Sequence, residues 1–168
     1  MAPLEEAPLS FDSNVILDFH LTGNYAFLES VAAGRMLISD FVENELSGSD
    51  RTPLPAGSEV IALTTEPELD FFHQIERAYR NLGVGELGAI TVAKFRSAFF
   101  VSNDGSARAA AKDLGLELTG GLGLLHLGVS LGHIQGPDGI RIMEEMVLNG
   151  AWFSDELIEL FRESVLNN

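Results

Sequence analysis

Short apolar runs of strand length alternate along this chain with longer stretches whose apolar residues recur at helical spacing. No other feature constrains the fold as much. Strands separated by helices pair in parallel through crossovers, which leave helices on both faces of the sheet. The predicted strands are Pro8-Leu-Ser-Phe-Asp12, Met36-Leu-Ile-Ser39, Glu59-Val-Ile-Ala-Leu-Thr64, Ala98-Phe-Phe-Val-Ser102 and the short Leu116-Glu-Leu-Thr119. Between them, helices are predicted from about Val15 to Ala33 and over Asp40 to Leu46, the latter capped by Ser39 or Asp40. A helix opened by Pro67 places Leu69, Phe72, Ile75, Ala78, Tyr79 and Leu82 on one stripe and stops at Gly83. Further helices run from Gly85 to about Ser97 and from Ser106 to Leu114, where Gly115 ends the second. Three close the chain: Leu122 to Leu131, Pro137 to Leu148, and Ser154 to Leu166 with Ser154 as cap. Ser47 to Ser58, rich in Ser, Gly and Pro, is loop. The expected fold is a three-layer α/β/α sandwich around a central, mainly parallel sheet. With 168 residues and 46% hydrophobic side chains, one core and a single domain over residues 1–168 are expected.

Composition narrows the chemistry. There is no cysteine, so disulfides, thiolate metal sites and thiol nucleophiles are excluded and Asp, Glu and His remain as ligands. The opening Met-Ala-Pro-Leu-Glu-Glu lacks the basic segment and apolar run of a secretory signal, and no apolar stretch approaches the length of a membrane span. A cytoplasmic location away from membranes is expected. The formal net charge of −15 argues against a nucleic-acid partner, because phosphate contacts dominate such affinity. Its distribution softens the objection. Arg77, Arg80, Lys94, Arg96, Arg108 and Lys112 fall in one window with only Glu86 and Asp104, which makes that window locally +4. It is either a solvated helix face or a phosphate-facing region that contains two functional acids.

In open parallel sheets, ligands bind beyond the carboxyl ends of the strands. Asp12 follows the first strand, Asp104 follows the Ala98 strand, Glu45 lies on the helix after the second strand, and Glu86 opens the helix before the Ala98 strand. Taken singly, such acids are usually helix caps or answers to the helix dipole. Four converging on one edge are different, since their mutual repulsion is expensive unless a cation sits between them. Ligation by oxygen alone selects Mg²⁺ or Mn²⁺.

These residues resemble the motifs of the PIN-domain family. Phe11-Asp-Ser-Asn-Val-Ile-Leu-Asp-Phe19 resembles the family's opening, in which a strand delivers an Asp followed by a small hydroxyl residue, Asn and an apolar pair. Val42-Glu-Asn-Glu-Leu46 resembles the second motif, which matches Glu45 and leaves Glu43 as the alternative. Gly85-Glu-Leu-Gly-Ala-Ile90 resembles the third, with Gly88 where some relatives carry a second acid. Ser102-Asn-Asp-Gly-Ser-Ala-Arg108 resembles the fourth: a hydroxyl residue, any residue, then Asp, with an Arg one turn on. Leu114-Gly-Leu116, Gly120-Gly-Leu-Gly-Leu-Leu125 and the stretch from Pro137 to Val165 look like a prokaryotic subgroup, apart from Gly121 where relatives usually have Thr. The resemblance implies metal-dependent hydrolysis of RNA phosphodiesters, with Asp12, Glu45, Glu86 and Asp104 converging within a few ångströms on one or two Mg²⁺ or Mn²⁺ ions. Ser13, Asn14 and Ser102 would orient the carboxylates. Arg108 is either a phosphate contact or a surface ion pair. Many prokaryotic relatives are VapC-type toxins held inactive by a small antitoxin, so such a partner and a homo-oligomer are expected.

Other readings compete. Gly83-Val-Gly-Glu-Leu-Gly88 satisfies the G-x-G-x-x-G dinucleotide fingerprint with Asp104 about 20 residues on, but a helix precedes it where a strand is required and Glu86 would confront the pyrophosphate. His20, His73, His126 and His133 are expected to be structural, because His126 and His133 lie two helical turns apart. Gly120 to Gly123, with no Lys nearby, reads as a strand-to-helix turn, and Trp152-Phe153 as a hydrophobic staple or a dimer contact. A catalytically inactive interaction module with a basic partner is the alternative class of function.

Overall fold

A computed structural model of the chain describes residues 2–48 and 51–166. The apolar runs become β1 (Leu9–Phe11), β2 (Met36–Ser39), β3 (Glu59–Ile61), β4 (Phe99–Val101) and β5 (Leu118–Thr119). They form one parallel sheet in the order β3-β2-β1-β4-β5. β1 and β2 are buried along their whole length, as strands covered on both faces must be. The connecting helices are α1 (Ser13–Leu21), α2 (Tyr25–Val31), α3 (Asp40–Gly48), α4 (Glu66–Ala78), α5 (Val84–Phe95), α6 (Gly105–Asp113), α7 (Gly121–Ser130), α8 (Gly136–Leu148) and α9 (Asp155–Leu166). This is the three-layer α/β/α sandwich expected from the alternation.

Helix α5 is apolar almost all round, with an unbroken buried run from Leu87 to Ala93, which suits a helix enclosed on all sides. It lies across β1, β2 and β4 with α3 and α4 against it. Ser10 points to this side and donates its hydroxyl to the Ala89 carbonyl at 2.7 Å. By alternation Leu9 and Phe11 point the other way, into the core shared with the remaining helices. Among the described residues no helix is long and apolar enough to cross a membrane.

Several boundaries differ from the sequence reading. The helix expected from Val15 to Ala33 is two, because Gly23 takes a left-handed φ of 70° and the Thr22 hydroxyl donates to the Asp18 carbonyl, closing α1. β3 stops at Ile61, three residues early, and β5 begins at Leu118. The stripe on α4 keeps Phe72 and Ile75 inside, but Leu69 is 40% exposed while Glu68 is 2% exposed. Arg96 pairs with Glu68 at 2.8 Å, and the Thr64 and Thr65 backbone N–H groups donate to its other oxygen, so the buried carboxylate is satisfied. Ser39 and Asp40 both cap α3, and Ser154 caps α9 through the Leu157 N–H. Of the expected loop from Ser47 to Ser58, Ser49 and Asp50 lie outside the described residues.

Candidate functional site

Phe11 stands opposite Ile38 and Val101, so β1 and β4 end together and β2 runs one residue further, to Ser39. The next residue on each, Asp12, Ser39 and Ser102, is buried at that edge. The chain runs outward from β1 through β2 and β3 and returns as β4 on the other side of β1. The strand order therefore reverses between β1 and β4, where open α/β sheets have their crevice.

Asp12 occupies that reversal and is 1% exposed. Its Oδ1 accepts from the Ser13 N–H at 2.8 Å, capping α1, and its Oδ2 accepts from Asn14 Nδ2 and Ser102 Oγ, each at 2.8 Å. The Asp104 N–H donates to the Ser102 hydroxyl at 3.1 Å, which turns the Ser102 proton toward Asp12. Burial pushes the Asp12 carboxyl up to about 7. The Ser102 and Ser13 donors oppose the shift, and the charges of Glu86 and Glu45 add to it.

The other three acids reach the same edge from three helices. Glu45 on α3 accepts from the Gly85 N–H at 3.1 Å and from the Ser13 hydroxyl at 3.0 Å. A Cβ at Gly85 would run into the Glu45 carboxylate, which gives the glycine of the Gly-Glu pair its reason. It is Glu45, not Glu43, whose charge bears on Asp12 and Glu86. Glu86 accepts from the Gly83 N–H at 2.7 Å. Burial raises its pKa against that hydrogen bond, with Asp104 and Glu45 adding to the rise. Asp104 caps α6 through the Ala107 N–H at 2.8 Å. The four carboxylates thus share one edge and one field. They are not drawn together further: among the described residues no three His, Asp or Glu side chains are grouped so as to hold an ion. The reason lies in their partners, since Glu45, Glu86 and Asp104 each turn an oxygen to a helix N–H. As a donor set they fit a hard divalent cation, being all oxygen, with a buried Asp12 pressed by two further negative charges.

Arg108 forms no ion pair among the described residues. Its Nη1 donates to the Ser102 and Thr119 carbonyls at 2.9 and 2.8 Å, tying the ends of β4 and β5 together. Of the basic window, Arg96 is likewise engaged, on Glu68. Asn103, read from the sequence only as a spacer, is the hub of the edge. Its N–H donates to Asn14 Oδ1, its Nδ2 donates to Asp18, and its Oδ1 accepts from the Gly121 N–H. The one available signal was that Asn favours strand-end turns where its amide meets backbone.

The rival motifs are absorbed by the fold. Gly83 caps α5, and the element before it is the helix α4 rather than a strand. Gly120 makes the turn from β5 into α7. His126 faces the Ser164 hydroxyl at 3.1 Å, His73 faces Glu76 on the same helix, and His20 packs at a tilt against the Tyr25 ring. Phe153 packs against the core, while Trp152 is 80% exposed.

No curated protein and no solved structure matches this chain. A family model described as a PIN domain matches residues 9–166, from the first residue of β1 to the last of α9. The chain belongs to the PIN-domain family, whose members are in general nucleases.

Proposed function

We propose that this protein is a metal-dependent endoribonuclease whose site is formed by Asp12, Glu45, Glu86 and Asp104. One observation carries the reading: a carboxylate 1% exposed at the strand-order reversal, oriented by three donors and pressed by the charges of two other acids. Such an arrangement is unfavourable for stability alone and suits a site that holds a cation. When bound, Mg²⁺ or Mn²⁺ supplies an activated water and a counter-charge for the phosphoryl oxygens. The chain's own contribution is to hold ligands in place. Ser102 and Asn14 fix the Asp12 carboxylate, and Ser13 holds Glu45. Arg108 and Asn103 keep the ends of β4, β5 and α7 in register with the edge. A single domain over residues 1–168, a cytoplasmic setting, a homo-oligomer and a VapC-type role with a small antitoxin complete the proposal.

The test is cleavage of single-stranded RNA against DNA of the same sequence, with Mg²⁺, with Mn²⁺ and with EDTA. Cleavage of RNA with either metal and none with EDTA is expected. A preference for DNA would overturn the ribonuclease assignment. The net charge of −15 favours one second reading, an interaction module for a basic partner. Absence of metal-dependent cleavage of either nucleic acid would select it.

A further inference from the structure

A cleft of about 460 Å³ opens on the β5 side of the carboxylate edge, a volume within the range of small-ligand sites. Asn103 and Gly105 line it, so both chain neighbours of Asp104 belong to its wall and the cleft begins where the carboxylate edge ends. Two of its glycines are there for close packing: a Cβ at Gly123 would run into the Thr119 hydroxyl, and one at Gly120 would stand 2.7 Å from Asn103 Oδ1. The segment before α9 brings Trp152 and Phe153 to the same cleft. Trp152 is 80% exposed there, although an indole left in water forgoes a large burial energy.

Arg108 is the charged group among the described residues lining this cleft, and its Nη1 is already held by two carbonyls. The rest of the lining is uncharged and includes Leu118, Leu122, Trp152, Phe153 and Leu157, a surface that suits a flat uncharged ring. A chain of net charge −15 has little electrostatic attraction for a polyanion, so affinity for RNA has to come from contacts that ignore charge. Stacking is such a contact, and every base has a face for it. We propose that this cleft is a nucleobase subsite, in which an unpaired base of the RNA strand stacks on Trp152 while the adjoining phosphate lies at the carboxylate edge. The inference rests on the ribonuclease reading and names how that substrate is gripped.

The chain has one tryptophan, so its fluorescence reports on Trp152 alone. With Ca²⁺ in place of Mg²⁺, so that the carboxylate edge is neutralised, a single-stranded RNA of about eight nucleotides should quench it, and an abasic strand of equal length should not. With Mg²⁺ present, Trp152→Ala should raise KM for RNA about ten-fold and leave kcat within about two-fold, while Trp152→Phe keeps most of the affinity. RNA that the parent cleaves without any change in fluorescence, and with the same KM in Trp152→Ala, would overturn the subsite and leave the nuclease standing. Quenching by an amphipathic Lys/Leu peptide but not by RNA would also overturn it, and would assign the cleft to a protein partner. Failure of the ribonuclease reading itself shows in a different measurement, as absence of cleavage by the parent.

Discussion

At the scale of single residues, Asp12 keeps a carboxylate buried at the head of the sheet. Its protonation is consequently linked to stability. With a folded pKa raised from 3.8 to about 7, the folded state keeps a proton that the unfolded state has lost, so this group's contribution falls as pH rises through that window. In EDTA, Asp12→Asn should remove that fall, and the parent-minus-variant difference in urea midpoint should shift steadily in the variant's favour from pH 4 to pH 7. A difference that does not vary with pH would show that Asp12 ionises normally. The Asn amide would also set its NH₂ against a donor in either orientation, Asn14 Nδ2 or the Ser13 N–H, so the variant's absolute stability is the less informative quantity. Asn103 makes a separate prediction. Asn103→Ala removes the side-chain bonds to Asp18 and the Gly121 N–H and should destabilise the fold by about 1–3 kcal/mol, read by urea denaturation.

Between elements, the buried contacts that set the edge involve a few residues whose roles are not visible in a pattern of apolar spacing. Glu68 joins α4 to the Arg96 end of α5. Its carboxyl is held down to about 2, chiefly by the Thr65 N–H, with the Thr65 hydroxyl, the Thr64 N–H and Arg96 also lowering it. A depressed carboxylate stabilises above its unfolded pKa and loses that contribution as pH falls through the folded value. Glu68→Gln should lower the thermal midpoint at pH 7 and converge on the parent as pH approaches 2, as scanning calorimetry at several pH values would show. The strands were legible because runs such as Phe99-Phe-Val101 are apolar enough to be covered on both faces. The places of Asp12 and Asp104 after strands and of Glu86 at a helix start were legible from the alternation, whereas Glu45, in the second half of α3, stood out only through the family resemblance. The break at Gly23 was hidden by continuous helical spacing on either side, and Asn103 by its position between two more recognisable residues. Gly88, where some relatives carry a second acid, has a packing reason: a Cβ there would stand 2.8 Å from both Phe41 and Ser39.

For the whole molecule, the net charge of −15 and the carboxylate edge act in the same direction, both repelling RNA until a cation is bound. Arg96 is paired and the Arg108 Nη1 is held by carbonyls, and the remaining cations of the basic window, Arg77, Arg80, Lys94 and Lys112, are opposed by the net charge of −15. The dependence of KM on salt should therefore be shallow, with a slope corresponding to about one or two phosphates. A steep slope would assign that window to a phosphate-binding groove. The repulsion among the acids has a further consequence, since a ligand that binds only the folded state stabilises it by mass action. Whether these carboxylates hold a catalytic cation is decided by Mg²⁺-dependent cleavage of single-stranded RNA by the parent and by Asp12→Asn, with the variant's fold checked by circular dichroism. Cleavage by the parent should stop with EDTA and fall at least about a hundred-fold in a folded Asp12→Asn. A variant that cleaves at the parent rate, or a parent whose cleavage survives EDTA, would remove the cation from the reaction.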